Sequence, residues 1–149
     1  CFSNAMSANV YLKDPDDAAL KQAVYDHLKA LQEEGVYGIG HIYTAEEARE
    51  KEHLYGGFSF VLESDGYTSF GDKAVRPLVQ NFDYRFGRAT HGYLPDFGAQ
   101  PVFVAKGPDF RCGVTLERGL VVDEAPTYAK LLGVELPQAD GRPMEQFLR

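Results

Sequence analysis

Residues 88–110 read R-A-T-H-G-Y-L-P-D-F-G-A-Q-P-V-F-V-A-K-G-P-D-F. How this stretch is read decides the fold. His91 stands between Thr90 and Gly92, and a polar loop leads from it to the run P-V-F-V-A-K at 101–106. A small residue beside the histidine lets backbone and a ligand come close to it. The short apolar run is the pattern of a strand buried on both faces of a sheet. Such a strand needs neighbours. Without them it exposes apolar faces and unpaired edges, so the expectation is that it packs against the lobe formed upstream by residues 9–70 or pairs with a second copy of itself.

Working upstream, residues 9–70 describe a second unit. N-V-Y-L-K at 9–13 reads as a strand. Asp14-Pro15 announces a helix, the carboxylate as N-cap and proline in the first turn. Leu20, Val24, His27, Leu28 and Leu31 recur at helical spacing, and Gly35 ends the helix. V-Y-G-I-G-H-I-Y at 36–43 is β-branched and aromatic, hence a strand. Thr44-Ala45-Glu46-Glu47 is a capping box for a helix to about His53. F-S-F-V-L-E at 58–63 alternates. Ser64-Asp65-Gly66 reads as a hairpin turn, with 67–70 as the return strand. Downstream, 114–118 reads as a short strand. Asp123 caps a last helix with Ala125, Tyr128, Ala129 and Leu132 on one side, which Gly133 ends.

Composition sets limits. The chain has 149 residues and a formal charge of −7, with 44% hydrophobic and 25% charged residues. That suits a soluble globular protein and argues against a nucleic-acid partner. No apolar run reaches the roughly 18 residues a membrane span needs. Residues 6–71 hold five Lys and Arg against twelve Asp and Glu, while 72–118 hold seven against five. The segment around His91 is the least acidic, which suits a small anionic ligand. Cys1–Ala5 resembles an expression-tag remnant and is set outside the expected fold. One cysteine, Cys112, then remains, which favours a reducing compartment and a cytoplasmic location.

Three motifs carry a resemblance. T-H-G-Y-L-P-D, G-P-D-F, and V-D-E-A-P-T-Y-A-K-L-L-G-V followed by A-D-G occur in order across about residues 88–143. Together they resemble the C-terminal end of the alkaline phosphatase superfamily, in its type I phosphodiesterase/nucleotide pyrophosphatase branch. The lobe at 9–70 resembles the cap inserted ahead of that end. The resemblance implies an α/β fold: an α+β cap lobe joined to a C-terminal piece of an alkaline-phosphatase-like α/β core. It divides the chain into tag remnant 1–5, cap lobe 6–71, linker 72–87 and core segment 88–149.

The resemblance also implies chemistry. In that family two divalent metals, usually zinc, bridge a substrate phosphate, and paired metals stabilise both the attacking and the leaving oxygen. A Thr or Ser is the nucleophile. The histidine of the H-G-Y segment is the last ligand of one metal, and only His91 matches it. No histidine here has an aspartate four residues before it. The one Asp-His dipeptide, Asp26-His27, falls mid-helix, where neighbours do not share a face.

The other candidates have plain readings. His27 lies on the apolar stripe and reads as a half-buried helix histidine. His41 and His53 flank the second helix and read as surface residues, since two histidines make a weak metal site. Cys112 reads as a partly buried cysteine and the run from Glu46 to Glu52 as a solvated helix face.

The expectation is therefore a piece of a phosphate ester hydrolase, inactive alone. Its partners are the missing N-terminal core of the same protein and a small phosphate ester or nucleotide, with self-association through the apolar strand. The rival expectation is a stand-alone α/β ligand-binding or protein-interaction module without catalysis.

Overall fold

The computed structural model describes residues 1–73, 76–80 and 90–149. The linker expected at 72–87, and the start of the 88–110 stretch, fall largely outside the described residues. The chain divides into two compact units, Cys1–Gln100 and Pro101–Arg149. The fold is a mixed α/β one.

The first unit is built on a four-stranded antiparallel sheet. Its strands are β1 (Phe2–Asn4), β2 (Ser7–Val10), β3 (Ile39–Thr44) and β4 (Phe60–Ser64), in the order β1-β2-β4-β3. The tag-like residues set outside the expected fold thus supply an edge strand, Phe2 lying opposite Asn9 and Asn4 opposite Ser7. Helix α1 (Ala18–Glu34) lies between β2 and β3 in the chain, and α2 (Ala45–Glu52) between β3 and β4.

β4 explains the arrangement. Its sequence, F-V-L-E-S, opens with three apolar residues in a row instead of alternating, and all five of its residues are buried. One face, with Phe60 and Leu62, packs with Ala8, Ile42 and Leu28 of α1. The other, with Val61, packs with Tyr43, Phe58, Ala48 of α2 and Leu94. A central strand covered on both sides has no solvent face to mark with polar residues.

Local chemistry sets the element ends. α1 starts later than expected because Asp17, not Asp14, is its N-cap, accepting from the Leu20 amide at 2.9 Å. The Asp14 carboxylate is taken up in its own turn by the Asp16 amide at 3.1 Å. Gly35 closes α1 in the left-handed conformation at φ 71. The capping box at Thr44 and Glu47 forms in both directions, at 3.2 and 3.1 Å.

The expected return strand at 67–70 does not form. The Asp65 carboxylate captures the amides of Tyr67 and Thr68, both at 2.9 Å, and the Ser64 hydroxyl donates to the Thr68 carbonyl. Side chains that bond nearby backbone in this way turn the chain out of a ladder. Thr68 then packs on Gly38, where a Cβ would lie 2.2 Å from its side chain.

The second unit holds one α-helix among its described residues, α3 (Glu124–Leu131), with Pro126 in its first turn. Asp123 does not cap it through its side chain. Its carboxylate accepts instead from the Arg142 amide at 2.8 Å. The buried face is Pro126, Thr127 and Ala129; of the expected row Ala125, Tyr128, Ala129 and Leu132, Ala129 is buried and the others are exposed. The reason is Thr127, which is fully buried, donates to the Asp123 carbonyl at 2.6 Å and accepts from the Met144 amide at 2.8 Å. The tail docks through it, and Phe110 bridges Leu148. Neither 101–106 nor 114–118 is a strand. Residues 101–106 have no ladder partner among the described residues, and Val102 and Val104 are each 89% exposed. Of that run, Phe103 packs, against Tyr128 and Phe147.

Candidate functional site

His91 lies on a loop of the first unit, beside the start of β2. The Met6 amide donates to its carbonyl at 3.3 Å, and its side chain is exposed. Gly92 follows at φ 87, where a Cβ would sit 1.5 Å from the Asn4 carbonyl oxygen. The close approach that this glycine permits is therefore made by the turn between β1 and β2. The Thr90 hydroxyl reaches the His91 carbonyl at 3.5 Å, the long limit of a hydrogen bond.

Two residues further on, Leu94 enters the core and its amide donates to Glu63 Oε1 at 3.1 Å. Glu63, on β4, is 1% exposed. Its Oε2 accepts from the Tyr43 hydroxyl at 3.4 Å. His41 stands opposite Glu63 across the β3–β4 ladder, and its ring lies 4.1 Å from that of Tyr43. Glu52, at the end of α2, also bears on the Tyr43 hydroxyl, and its Oε2 is buried without a hydrogen-bond partner. The run from Glu46 to Glu52 is thus not solvated at its far end.

The electrostatics follow from burial. Desolvation pushes the Glu63 carboxyl above the ordinary range. The Leu94 amide pulls it down, the Glu52 charge pushes it up, and the Tyr43 hydroxyl and His41 pull it down. Tyr43 is raised strongly, by its own burial and then by the two carboxyls. Hence at neutral pH Tyr43 remains a donor between two acceptors. The cluster can hold and exchange a proton, with His41 at its exposed edge.

The histidines singled out from the sequence stay apart from this chemistry, except His41. His27 is exposed on α1 and not half-buried, because α1 turns Val24, Tyr25 and Leu28 to the sheet. His41 and His53 are exposed, and Cys112 is exposed and not partly buried. Among the described residues no group of three or more His, Cys, Asp and Glu side chains is placed to hold a metal. His91 alone does not make a metal site, and a metal there would need ligands from outside the described residues.

Sequence reading passed over Glu63 and took Glu52 for part of a solvated helix face. The available signal was parity: Glu63 shares a face with Val61, so covering that face buries a carboxylate. Two clefts lie elsewhere. One, near 350 Å³, is lined by Lys21, Gln22, Tyr25, Thr44 and Phe60 and bordered by the Lys21–Glu46 ion pair at 3.4 Å. The other, near 510 Å³, lies in the second unit against Pro126, Ala129 and Leu136. Among the described residues no helix is long and apolar enough to cross a membrane. No family model, curated protein or solved structure matches this chain.

Proposed function

We propose that this chain is the cap lobe and C-terminal segment of a metal-dependent phosphodiesterase or nucleotide pyrophosphatase. In this reading His91 is one ligand of a two-metal, zinc-type site completed by a part of the protein outside these residues. The observation that carries it is residues 101–106, an apolar stretch with Val102 and Val104 89% exposed. An apolar run that becomes a strand only beside backbone supplied elsewhere has this character. The exposed side chain of His91, on a loop pinned by Met6 and Leu94, adds support. So do the three motifs of the resemblance. The partner is then the N-terminal core of the same protein, and the substrate a small phosphate ester or nucleotide.

The chain alone is expected to be inactive, because a catalytic zinc takes about three protein ligands plus an open position. The test is zinc-dependent hydrolysis of bis(p-nitrophenyl) phosphate. It compares this chain with a longer one extended upstream in the same reading frame. The longer chain should turn over. Its His91→Ala variant should lose at least the roughly hundredfold that weakening a metal's support costs. Turnover by this chain alone, or an extension without an aspartate near a Thr or Ser, overturns the proposal.

A second reading has its own support. The first unit covers both faces of its sheet and buries two core clusters, as a self-standing α/β binding module would. An inactive longer chain would favour it.

A further inference from the structure

Loop 91–97 is joined to the sheet by a carboxyl group where a strand would use a ladder. Leu94 is buried with Tyr43, Ala48, Phe58 and Val61, and its amide donates to Glu63 Oε1 at 3.1 Å. The loop turns directly afterwards, the Phe97 amide donating to the Leu94 carbonyl at 3.0 Å. Behind Glu63 the donors run short. Tyr43 has one O–H, which Glu63 Oε2 accepts at 3.4 Å. Glu52 faces the same hydroxyl, yet its Oε2 is buried and unpartnered. Two carboxylates and one phenol leave the cluster a proton short. One added proton, on either carboxyl, supplies the missing donor.

We propose that Glu63 is a proton-operated latch for loop 91–97: one proton held among Glu63, Glu52 and Tyr43 keeps Leu94 docked, and its loss loosens the loop. The inference rests on the geometry of the first unit and not on the metal reading. The groups facing Glu63 are His41 and Tyr43 from β3, Ser7 opposite it on β2, Glu52 from α2 and the Leu94 amide from the loop.

The sign follows from what docking does to the carboxyl. Undocking lifts Leu94 off Glu63 and lets water reach the carboxyl, which moves its titration back toward the ordinary carboxylate range. Docking buries it, and burial outweighs the Leu94 hydrogen bond, so the docked state holds the proton to higher pH. Docking is then fully favoured below the ordinary range. It weakens as pH rises toward the raised value, at most about tenfold per pH unit for one proton, and levels off above it.

The experiment is residue-resolved amide exchange on the whole ¹⁵N-labelled chain across the acidic to neutral range, corrected for intrinsic rates. It covers the wild type, Glu63→Gln and Glu63→Leu. In the wild type, protection at Leu94 should fall with rising pH by up to about tenfold per unit and then level, and at every pH it should lie well below that of the β4 amides of Val61 and Leu62, which report opening of the whole sheet. Glu63→Gln keeps an acceptor for Leu94 and adds a donor toward Tyr43 and Glu52, so Leu94 protection should stay high and flat. Glu63→Leu should lower it at every pH. A flat wild-type profile, a Gln variant that tracks the wild type, or Leu94 protection equal to that of β4 at every pH overturns the proposal. If a variant does not fold, the ¹³C-carboxyl titration of Glu63 in the wild type decides. A midpoint inside the ordinary range refutes the latch, and one above it that coincides with the Leu94 change supports it.

Discussion

Leu94→Ala separates a docked loop from a structural element. Leu94 is 6% exposed and sits among Tyr43, Ala48, Phe58 and Val61. The change removes three carbons from that cluster, about 2.4 kcal/mol at roughly 0.8 kcal/mol per buried methylene. In a rigid site the cavity left behind raises a Leu→Ala cost to as much as about 5 kcal/mol. Here the cost has a ceiling. Leu94 belongs to neither helix nor strand, so the loop can leave once docking no longer supports the ordering of its backbone. We therefore expect a loss of about 2–3 kcal/mol, near the transfer value, and local in character. Urea unfolding followed by far-ultraviolet circular dichroism gives the total. Amide exchange divides it: protection should fall around Leu94 by more than a factor of ten while Val61 and Leu62 lose less, since about 1.4 kcal/mol is tenfold. A loss above about 4 kcal/mol shared equally by β4 would show that the loop is integral to the sheet's core. A loss under about 0.5 kcal/mol would show that Leu94 is not packed at all.

Three other outcomes follow from the same packing. Phe60→Ala, on the opposite face of β4 and against the Tyr25 ring at 5.9 Å, has no loop to release. It should cost about 3–5 kcal/mol and lower protection throughout the sheet in amide exchange. Thr44→Ala removes the capping box that starts α2 and should cost about 1 kcal/mol in urea unfolding, with faster exchange in the first turn of α2. For pH, Glu63 is raised on folding, so its contribution is present below the ordinary carboxylate range and is lost as pH rises through the raised value. Unfolding midpoints in urea should show that fall in the wild type and lack it in Glu63→Gln.

Much of the first unit was legible in the sequence because its determinants are local. Gly35 stops α1 through a left-handed backbone, and Thr44 with Glu47 starts α2 within four residues. The β-branched and aromatic runs gave β3 and β4. Where several local signals competed, the reading slipped. Three aspartates stand at 14, 16 and 17, and the first looked like the cap because proline follows it. The turn at Asp65 offered the backbone bonds from its own side chain, and the expected return strand lost to them.

The sequence by itself determined what lies within a few bonds of the chain: helix ends such as those at Gly35 and Thr44, and strand propensity. Only the tertiary structure decided which faces were covered. Residues distant in the chain bury Glu63 under Leu94 and bring Glu52 to the hydroxyl of Tyr43. Burial, not residue type, turns those ordinary side chains into a proton-holding cluster. It also decided that the 101–106 run, apolar enough for a strand, stays unpaired: a strand forms where neighbouring backbone completes its hydrogen bonds, and no periodicity supplies that neighbour.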